Sequence, residues 1–469
     1  ADMDTPVSSY FKLNSGTDSF LLESMEGDGH SGRYSIIGMK PMLSFMRFSD
    51  RTVITDVENG KQKILYGNPF DHLKLLLASC NFDRTEPFEC GFLCGYLSYD
   101  SIKYIEKIPA NSQNDVQLPE IYLILPSEVV IFDNFTHTQK LLVHIEDNGN
   151  HAALENIAAD LLNAMVKKFS RHDPRIKEMK KFTQTSTPDV IVNISNEAYL
   201  QSVIRAKEYI RNGDIFQIVL SRRFQTAITC DSFDIYRMLH LINPSPYMYY
   251  INFGEVKIIG SSPETMVKFD GNRVIVRPIA GTRKRGKTKA EDKEIAKLLL
   301  KDEKELAEHV MLVDLGRNDI GRIASYGSVR LDTFKKVENY SHVMHIVSTV
   351  SGELQAEFDS VDIFKACFPA GTVSGAPKVR AMEIIDELEK TRRGPYAGAI
   401  GYFDFYGRMD TCITIRTIVV KGRNAYWQAG GGIVADSIPE YEFEETENKA
   451  RALLKAISLA EEVYYDCGH

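Results

Sequence analysis

The chain has 469 residues, a formal net charge of −8 and 43% hydrophobic residues. This length suffices for two closely packed subdomains, and the composition is that of a globular protein. No apolar run approaches the ~20 residues that span a bilayer, and no secretory signal is visible, so we expect a cytoplasmic protein without a membrane partner. The basic residues form no long block, which argues against nucleic acid. Seven scattered cysteines without a CxxC pair fit a reducing compartment.

The first part of the chain predicts short strands and turns, for example a strand at 128–132, followed by one helix. Alanine, isoleucine and leucine recur at helical spacing over His151–Phe169, which predicts a helix there. The polar, proline-containing stretch 170–189 predicts a linker. We therefore place an N-terminal subdomain at 1–170 and a catalytic domain at 190–465.

The second part opens with Ser195, an N-cap candidate, and a helix that Gly213 ends. The apolar stretch 215–220 then predicts a strand with Gln217 inside it. A further strand is expected where the turn-rich run 243–250 ends.

Two later helix candidates carry carboxylates on one face. The residues at helical spacing are Glu305 and Glu308 on the first, and Glu442, Glu445 and Lys449 on the second. Most acidic helix faces are simply solvated. Two of them together also suit a hard divalent ion such as Mg²⁺, which prefers oxygen ligands. The residues alone leave both interpretations open.

The stretch 368–380 contains two glycines and two prolines, and an amphipathic helix candidate follows. Pro377 suits the first helical turn, which would leave unpaired backbone N–H groups around Gly375 and Ala376, with the Thr372 hydroxyl nearby. Such a helix start binds anions, although an ordinary capping loop fits equally well. The spacing is not that of a Walker A loop.

The strings at 278–282, 308–318, 368–380 and 448–450 resemble those of the chorismate-utilising enzymes, above all the large subunit of anthranilate synthase. The resemblance extends over nearly the whole chain. It implies an α+β fold with large antiparallel sheets packed face to face, helices outside and two intertwined subdomains. It also implies that ammonia adds at C2 of chorismate, that the C4 hydroxyl leaves, and that loss of pyruvate gives anthranilate, the first committed step of tryptophan biosynthesis.

The resemblance assigns roles to the carboxylates. Glu308 and Glu445 would be Mg²⁺ ligands, with Glu305 and Glu442 acting through water or by steering those ligands. Glu264 would be the general acid that protonates the leaving C4 hydroxyl, and burial should raise its pKa for that task. We count Thr372 with the catalytic group.

The resemblance also supplies a base and a carboxylate grip. His345 would act in pyruvate elimination, ahead of His309 and His342, although a lone histidine on an apolar strand is more often a satisfied core residue. Arg416 would hold the enolpyruvyl carboxylate through its guanidinium. Strand alternation turns Arg416 away from its apolar neighbours, as for an exposed strand residue.

The remaining substrate contacts are less specific. Tyr396 would be a companion donor to Arg416, and Lys449 is assigned to substrate binding. The glycines at 430–432, Gly430, Gly431 and Gly432, let backbone N–H groups approach an anion, although a flexible strand end is the plainer interpretation. The resembling enzymes more often have alanine where this chain has Gly431.

Two positions select one activity within the family. Isochorismate and salicylate synthases carry a water-activating lysine where this chain has Gln217, and aminodeoxychorismate synthases carry a nucleophilic lysine where it has Ala280. Anthranilate synthase is therefore favoured over two alternatives, an atypical aminodeoxychorismate synthase and a non-catalytic tryptophan-binding regulator. No Gly-x-Cys-x-Gly elbow is present, so ammonia would come from a separate glutamine amidotransferase subunit.

Two further strings match the tryptophan feedback site of the family. The residues concerned are Glu23, Ser24, Pro246, Tyr247 and Met248. A Glu-Ser pair in a turn is usually only turn chemistry. The resemblance nevertheless implies one tryptophan pocket lined by the tyrosine and methionine side chains.

Overall fold

The computed structural model describes residues 4–13, 16, 18–25, 32–82, 91–169, 188–340 and 343–465. Those ranges contain ten α-helices: α1 (Pro6–Leu13), α2 (Pro69–Ser79), α3 (His151–Phe169), α4 (Asn196–Arg211), α5 (Ser232–Ile242), α6 (Lys289–Leu299), α7 (Glu303–Gly321), α8 (Ser360–Cys367), α9 (Lys378–Leu388) and α10 (Pro439–Tyr465). None of these helices is long and apolar enough to cross a membrane.

The same ranges contain twenty-one strands. They are β1 (Ser19–Glu23), β2 (Tyr34–Arg47), β3 (Thr52–Asp56), β4 (Gln62–Leu65), β5 (Phe92–Leu97), β6 (Ile121–Asp133), β7 (Thr138–Val143), β8 (Ile191–Val192), β9 (Gln217–Ala227), β10 (Tyr247–Phe253), β11 (Val256–Ser262), β12 (Thr265–Phe269), β13 (Arg273–Val276), β14 (Ile279–Lys284), β15 (Arg330–Asn339), β16 (Val343–Glu353), β17 (Gly375–Ala376), β18 (Ala399–Asp404), β19 (Met409–Ile413), β20 (Thr417–Lys421) and β21 (Asn424–Ile433).

The strands form two large antiparallel sheets that share two strands. The first sheet has the order β7–β6–β2–β1–β10–β11–β20–β21–β9–β8, and the short strand β17 also pairs with β9. The second has the order β4–β3–β2–β6–β5–β18–β19–β12–β13–β16, and β14 and β15 also pair with β16. The long strands β2 and β6 run through both sheets. Each sheet therefore joins a block of strands from the first part of the chain to a block from the second part, through the pair β1–β10 in the first sheet and β5–β18 in the second.

Aromatic side chains fill the space between the sheets. The rings of Phe20 and Phe92 pack edge to face with centroids 6.0 Å apart, and Phe253 stacks on Tyr122 at 3.8 Å. Burying one such side chain contributes about 2–3 kcal/mol. Helices α1, α5 and α10 cover the outer face of the first sheet, while α2 and α8 cover that of the second. The expected α+β fold, with face-to-face sheets and helices outside, is confirmed.

The helix predictions made from periodicity and capping agree with the structure. Helix α3 has the predicted bounds, and the Ser195 hydroxyl caps α4 by accepting from Ala198 N at 3.2 Å. Gly213, with φ 82°, follows the end of that helix, as expected of a left-handed stop. Residues 170–187 of the predicted linker at 170–189 lie outside the described residues. The subdomain boundary therefore stays a prediction.

One expectation about the loop before α9 is wrong. Pro377 is the N-cap and the helix begins at Lys378, so the proline precedes the first turn. Gly375 and Ala376 form β17 against β9 instead of an open ring of N–H donors. Tertiary pairing with β9 overrides the local helix-start signal.

Candidate active site

Two glycines of β21 leave room for polar side chains close to the backbone. A Cβ on Gly432 would lie 2.8 Å from Gln217 Nε2, and a Cβ on Gly430 would lie 2.8 Å from the Tyr396 hydroxyl. Gly431 faces the other side of the strand, where a Cβ would lie 2.9 Å from Glu442 Oε2. Larger side chains at these positions would displace the groups that surround them. The glycines therefore let these polar side chains come close to the backbone at the end of β21.

The carboxylate of Glu308 lies against this strand. Gln217 Nε2 donates to Glu308 Oε1 at 3.2 Å, and burial is the main reason why the pKa of Glu308 is raised. Repulsion from Glu305 and Glu445 raises that pKa further, while Gln217 and Lys449 oppose the rise. Helices α7 and α10 thus bring their acidic faces together.

The other carboxylates are held in different ways. Glu305 accepts from Arg283 Nη1 at 2.8 Å, whereas Glu445 pairs with Lys449 at 2.6 Å. Lys449 Nζ also donates to the Gly430 carbonyl at 2.9 Å, which ties α10 to β21. Burial raises the pKa of Glu442, and its Oε2 has no hydrogen-bond partner among the described residues.

These residues fit Mg²⁺ as an incomplete protein site. Among the described residues no three His, Cys, Asp or Glu side chains are grouped as a full ligand set. Mg²⁺ is often bound by one or two carboxylates, with water and substrate oxygens in its other positions. Glu308 and Glu445 repel one another and would be relieved by a cation, while Glu305 already has Arg283 as its counter-ion.

A further acid is buried beside the Thr372 hydroxyl and Arg416. Glu264 follows β11, is 7% exposed, and has its pKa raised by burial to about 8. The Thr372 hydroxyl, the backbone of Ile279 and the charge of Arg416 oppose the rise. Thr372 Oγ1 is buried and forms no hydrogen bond of ordinary geometry within the described residues, although it lies close enough to Glu264 to oppose the rise in its pKa. At neutral pH the Glu264 carboxyl is mostly protonated and can act as a proton donor.

The histidine of β16 is neutral and oriented. His345 Nδ1 lies 3.0 Å from the Gly281 carbonyl oxygen and 3.1 Å from Thr282 Oγ1. Donation from Nδ1–H to that carbonyl leaves the Nε2 lone pair unprotonated. Burial, with a smaller contribution from Arg416, lowers the pKa of His345 to about 4. His345 can therefore accept a proton.

Gly281 connects the histidine to the carboxylates. Its φ is +67°, and a Cβ there would lie 3.2 Å from Glu305 Oε2. The rival His309 is fully buried and bonds to the Ser348 hydroxyl at 2.6 Å through Nε2, as a core histidine does. The other rival, His342, lies outside the described residues.

The strand placement of Arg416 is wrong. It lies in the link between β19 and β20, with φ 49°, a backbone region rarely used by residues other than glycine. Burial lowers its pKa, and the charges of Glu264 and Tyr340 oppose that effect. Its guanidinium forms no ion pair or hydrogen bond within the described part of the chain. It is thus available to grip a carboxylate beside the acid and the histidine.

A family model for chorismate binding enzymes matches residues 19–455. The chain belongs to the chorismate binding enzyme family. It is 46% identical to anthranilate synthase component 1 of Acetivibrio thermocellus, over 99% of this chain and 94% of that protein. It is also 46% identical to anthranilate synthase component 1 of Aquifex aeolicus, over 98% of this chain and 94% of that protein. The crystal structure of anthranilate synthase component I from Streptococcus pneumoniae matches with a TM-score of 0.81 and 36% identity, over 97% and 98% of the chains.

In this family member, a second cluster joins the two strings assigned to tryptophan. Glu23 of β1 is directly opposite Met248 of β10 in the strand pairing. The Tyr236 hydroxyl donates to Glu23 Oε2, and His240 Nε2 lies 3.8 Å from the same oxygen. Burial raises the pKa of Glu23 to about 7.

The rest of this cluster differs from the expected lining. Ser24 is half-buried just after β1, and Pro246 immediately precedes β10. Tyr247 and Met248 leave the strand on opposite faces. The Tyr247 hydroxyl bonds to Thr265 and Asp410, each at 2.9 Å, between the sheets. Only Met248 of the two lies on the Glu23 face.

Sequence reasoning missed a buried ion pair behind the site. Arg393 pairs with Glu389 at 2.7 Å and donates to the carbonyls of Val373 and Val219, both at 2.7 Å. It thereby fixes the loop that carries Thr372 against β9. The i, i+4 spacing of the two charges was the only local signal.

Proposed function

We propose that this chain is the large subunit of an anthranilate synthase, which converts chorismate and ammonia into anthranilate, pyruvate and water. One observation carries the choice within the family. Residue 217 offers an amide that bonds to Glu308, not an amine that activates water. Ala280 likewise offers no nucleophile. Ammonia is then the nucleophile that reaches C2.

The two carboxylates of chorismate fit two parts of the site. Arg416 and the Tyr396 hydroxyl would hold the enolpyruvyl carboxylate through charge-assisted hydrogen bonds. Burial raises the pKa of Tyr396 to about 12, which keeps it a donor. Glu308 and Glu445 would hold Mg²⁺, which when bound neutralises the ring carboxylate and orients it.

The first chemical step uses Glu264. The ammonia nitrogen forms a bond to C2, the ring double bonds shift, and the C4–O bond breaks. Glu264 gives its proton to the departing hydroxyl, which leaves as water, and the new ammonium group loses a proton. Proton transfer of this kind contributes about 10²–10⁴-fold to the rate.

The second step uses His345. Its Nε2 takes the proton from C2, and the C3–O bond breaks as the ring becomes aromatic. The released enolpyruvate takes up a proton and becomes pyruvate. A histidine with a pKa of about 4 is unprotonated at neutral pH, as this step requires.

Ammonia and regulation involve other molecules. Burial raises the thiol pKa of Cys94, Cys367 and Cys412, so these thiols are poor nucleophiles. A separate glutamine amidotransferase would supply ammonia, in the cytoplasm. We also propose tryptophan as a feedback inhibitor at the Glu23–Met248 cluster, because a buried carboxylate there can pair with an amino group.

The test is product formation by the purified chain. With chorismate, Mg²⁺ and ammonium at alkaline pH, we expect the fluorescence of anthranilate, and none with glutamine in place of ammonium. Mass and retention analysis separates anthranilate from a 4-amino product. Turnover to the 4-amino compound would instead support the aminodeoxychorismate alternative. Tryptophan binding without any turnover would support the regulator.

A further inference from the structure

Arg222 is a buried arginine of β9 that the proposed chemistry does not use. It is 1% exposed, although arginine is rarely fully buried without partners. Its guanidinium carbon lies 4.1 Å from the ring centroid of Phe443, 5.2 Å from that of Phe224 and 5.5 Å from that of Tyr199. These stacked contacts join β9 to α4 and to α10.

The same guanidinium bonds to the side of α10. Arg222 Nη1 donates to Thr446 Oγ1 at 3.1 Å and to Glu447 Oε1 at 2.7 Å. Arg222 Nη2 donates to Asn196 Oδ1, at the start of α4, at 3.4 Å. With the Phe443 ring, Arg222 contacts three positions of α10 over little more than one helical turn.

Those three positions share one side of α10, next to the side that carries its proposed functional residues. Glu442, Glu445 and Lys449 are the α10 residues assigned to the metal and the substrate. Each residue advances an α-helix by about 100°, so the contacts at 443, 446 and 447 fix where the neighbouring carboxylates point. A rotation by one residue would remove Glu445 from the acidic cluster.

The strand β9 also orients the other carboxylate helix. Gln217, at its start, bonds to Glu308 of α7. Arg222, five residues later, lies on the opposite face of the strand because side chains alternate. Strand β9 therefore contacts both helices through polar side chains, α7 through Gln217 and α10 through Arg222.

We propose that Arg222 is a positioning residue that sets the rotation of α10 relative to α7, and so the fit of Glu445 and Glu308 to one Mg²⁺. This rests on the proposed function only for the identity of the ion. The guanidinium combines a charge with a flat face that stacks. Lysine keeps the charge without the fork, and methionine keeps only the bulk.

The experiment measures metal binding and turnover separately. Mg²⁺ is titrated into the chain with chorismate but without ammonium, so that no amination occurs, and binding is followed by calorimetry. We expect Arg222→Met to weaken Mg²⁺ binding at least tenfold and Arg222→Lys to weaken it less. The Mg²⁺ concentration for half-maximal anthranilate formation should rise by the same factors, while the KM for ammonium stays within twofold.

A matched control separates positioning from general stability. Arg47 of β2 is another buried arginine, and its guanidinium carbon lies 4.6 Å from the ring centroid of Tyr104. Arg47→Met should lower the melting temperature as Arg222→Met does, yet leave Mg²⁺ affinity unchanged. If Arg222→Met does not fold, Glu447→Gln and Phe443→Leu take its place, each with a threefold or larger loss of affinity expected.

The outcomes are distinct. Unchanged Mg²⁺ affinity in folded Arg222 variants, or in both substitutes, would overturn the positioning role. An equal loss in the Arg47→Met control would do so as well. A wild-type chain that binds Mg²⁺ with chorismate but makes no anthranilate would contradict the proposed function and leave the effect of Arg222 on metal binding measurable.

Discussion

The catalytic cleft and the Glu23 cluster each contain a buried glutamate, but they differ in what surrounds it. Burial raises the pKa of Glu264 to about 8 and that of Glu23 to about 7. Glu23 has a local donor in the Tyr236 hydroxyl. In the cleft, the guanidinium of Arg416 makes no hydrogen bond or ion pair within the described residues. The cleft thus keeps a cationic donor for a ligand, whereas in the second cluster one oxygen of Glu23 already accepts a hydrogen bond.

Strand β10 joins the two regions, because it pairs with β1 on one side and with β11 on the other. Met248 pairs with Glu23 on one side and with Ser261 of β11 on the other. Glu264 follows the end of β11 two residues after Ser262. A ligand that shifts β10 can therefore affect Glu264, the proposed acid, without contacting chorismate, provided that it has different affinities for two states.

Replacing each of the two glutamates in turn tests the contrast between the cleft and the Glu23 cluster, and this test should give the largest effect. Glu264→Gln should lower kcat about 10³-fold, because the leaving hydroxyl loses its proton donor. The matched variant Glu23→Gln should keep the uninhibited kcat within threefold. Steady-state anthranilate fluorescence measures both. Near-normal turnover by Glu264→Gln would remove it from the mechanism.

Arg416→Lys tests whether the free guanidinium grips a carboxylate. Lysine retains the charge but lacks the planar two-pronged donor, so we expect the KM for chorismate to rise about 10–100-fold. The KM for ammonium should stay nearly constant, since Arg416 does not contact ammonia in the proposed arrangement. An unchanged KM for chorismate would show that the residue acts elsewhere.

The pH profile should show the smallest effect. Glu264 donates a proton only while protonated, so kcat/KM for chorismate, at constant free ammonia, should fall as pH rises and be halved near pH 8. The folded pKa of Glu264 lies above its unfolded value. Its contribution to the free energy of unfolding is therefore fully present below about pH 4.5 and is lost as pH rises to about 8. Glu264→Gln should then melt at a higher temperature than wild type above pH 8 and show little difference at pH 4. A higher wild-type melting temperature at pH 9 would contradict the raised pKa.

Local patterns in the sequence predicted much of the fold and the candidate site. The bounds of α3 and the Ser195 cap follow from periodicity and hydrogen-bonding chemistry over a few residues. The site residues came from motif resemblance, which places Glu308 and Gln217 in one cleft although they are 91 positions apart. Their bond agrees with that placement.

Other features depend on contacts that local patterns do not encode. Alternation placed Arg416 on a strand, but the chain turns there through a positive φ that the flanking residues do not signal. The stacking of Arg222 on Phe443 joins residues more than 200 positions apart. Which of Tyr247 and Met248 faces the Glu23 cluster depends on which face of the sheet is covered by α5. Each of these requires the assembled sheets.

One titration tests most directly the claim that the cleft and the Glu23 cluster are separate, coupled sites. In the Glu264→Gln background, tryptophan is titrated calorimetrically with and without chorismate and Mg²⁺, and again with Ser24→Phe added. Separate, coupled sites predict that chorismate weakens tryptophan binding to a finite limit, and that Ser24→Phe removes tryptophan binding while chorismate still binds. Unchanged tryptophan affinity, weakening without limit as in direct competition, or full binding by the Ser24→Phe variant would contradict it.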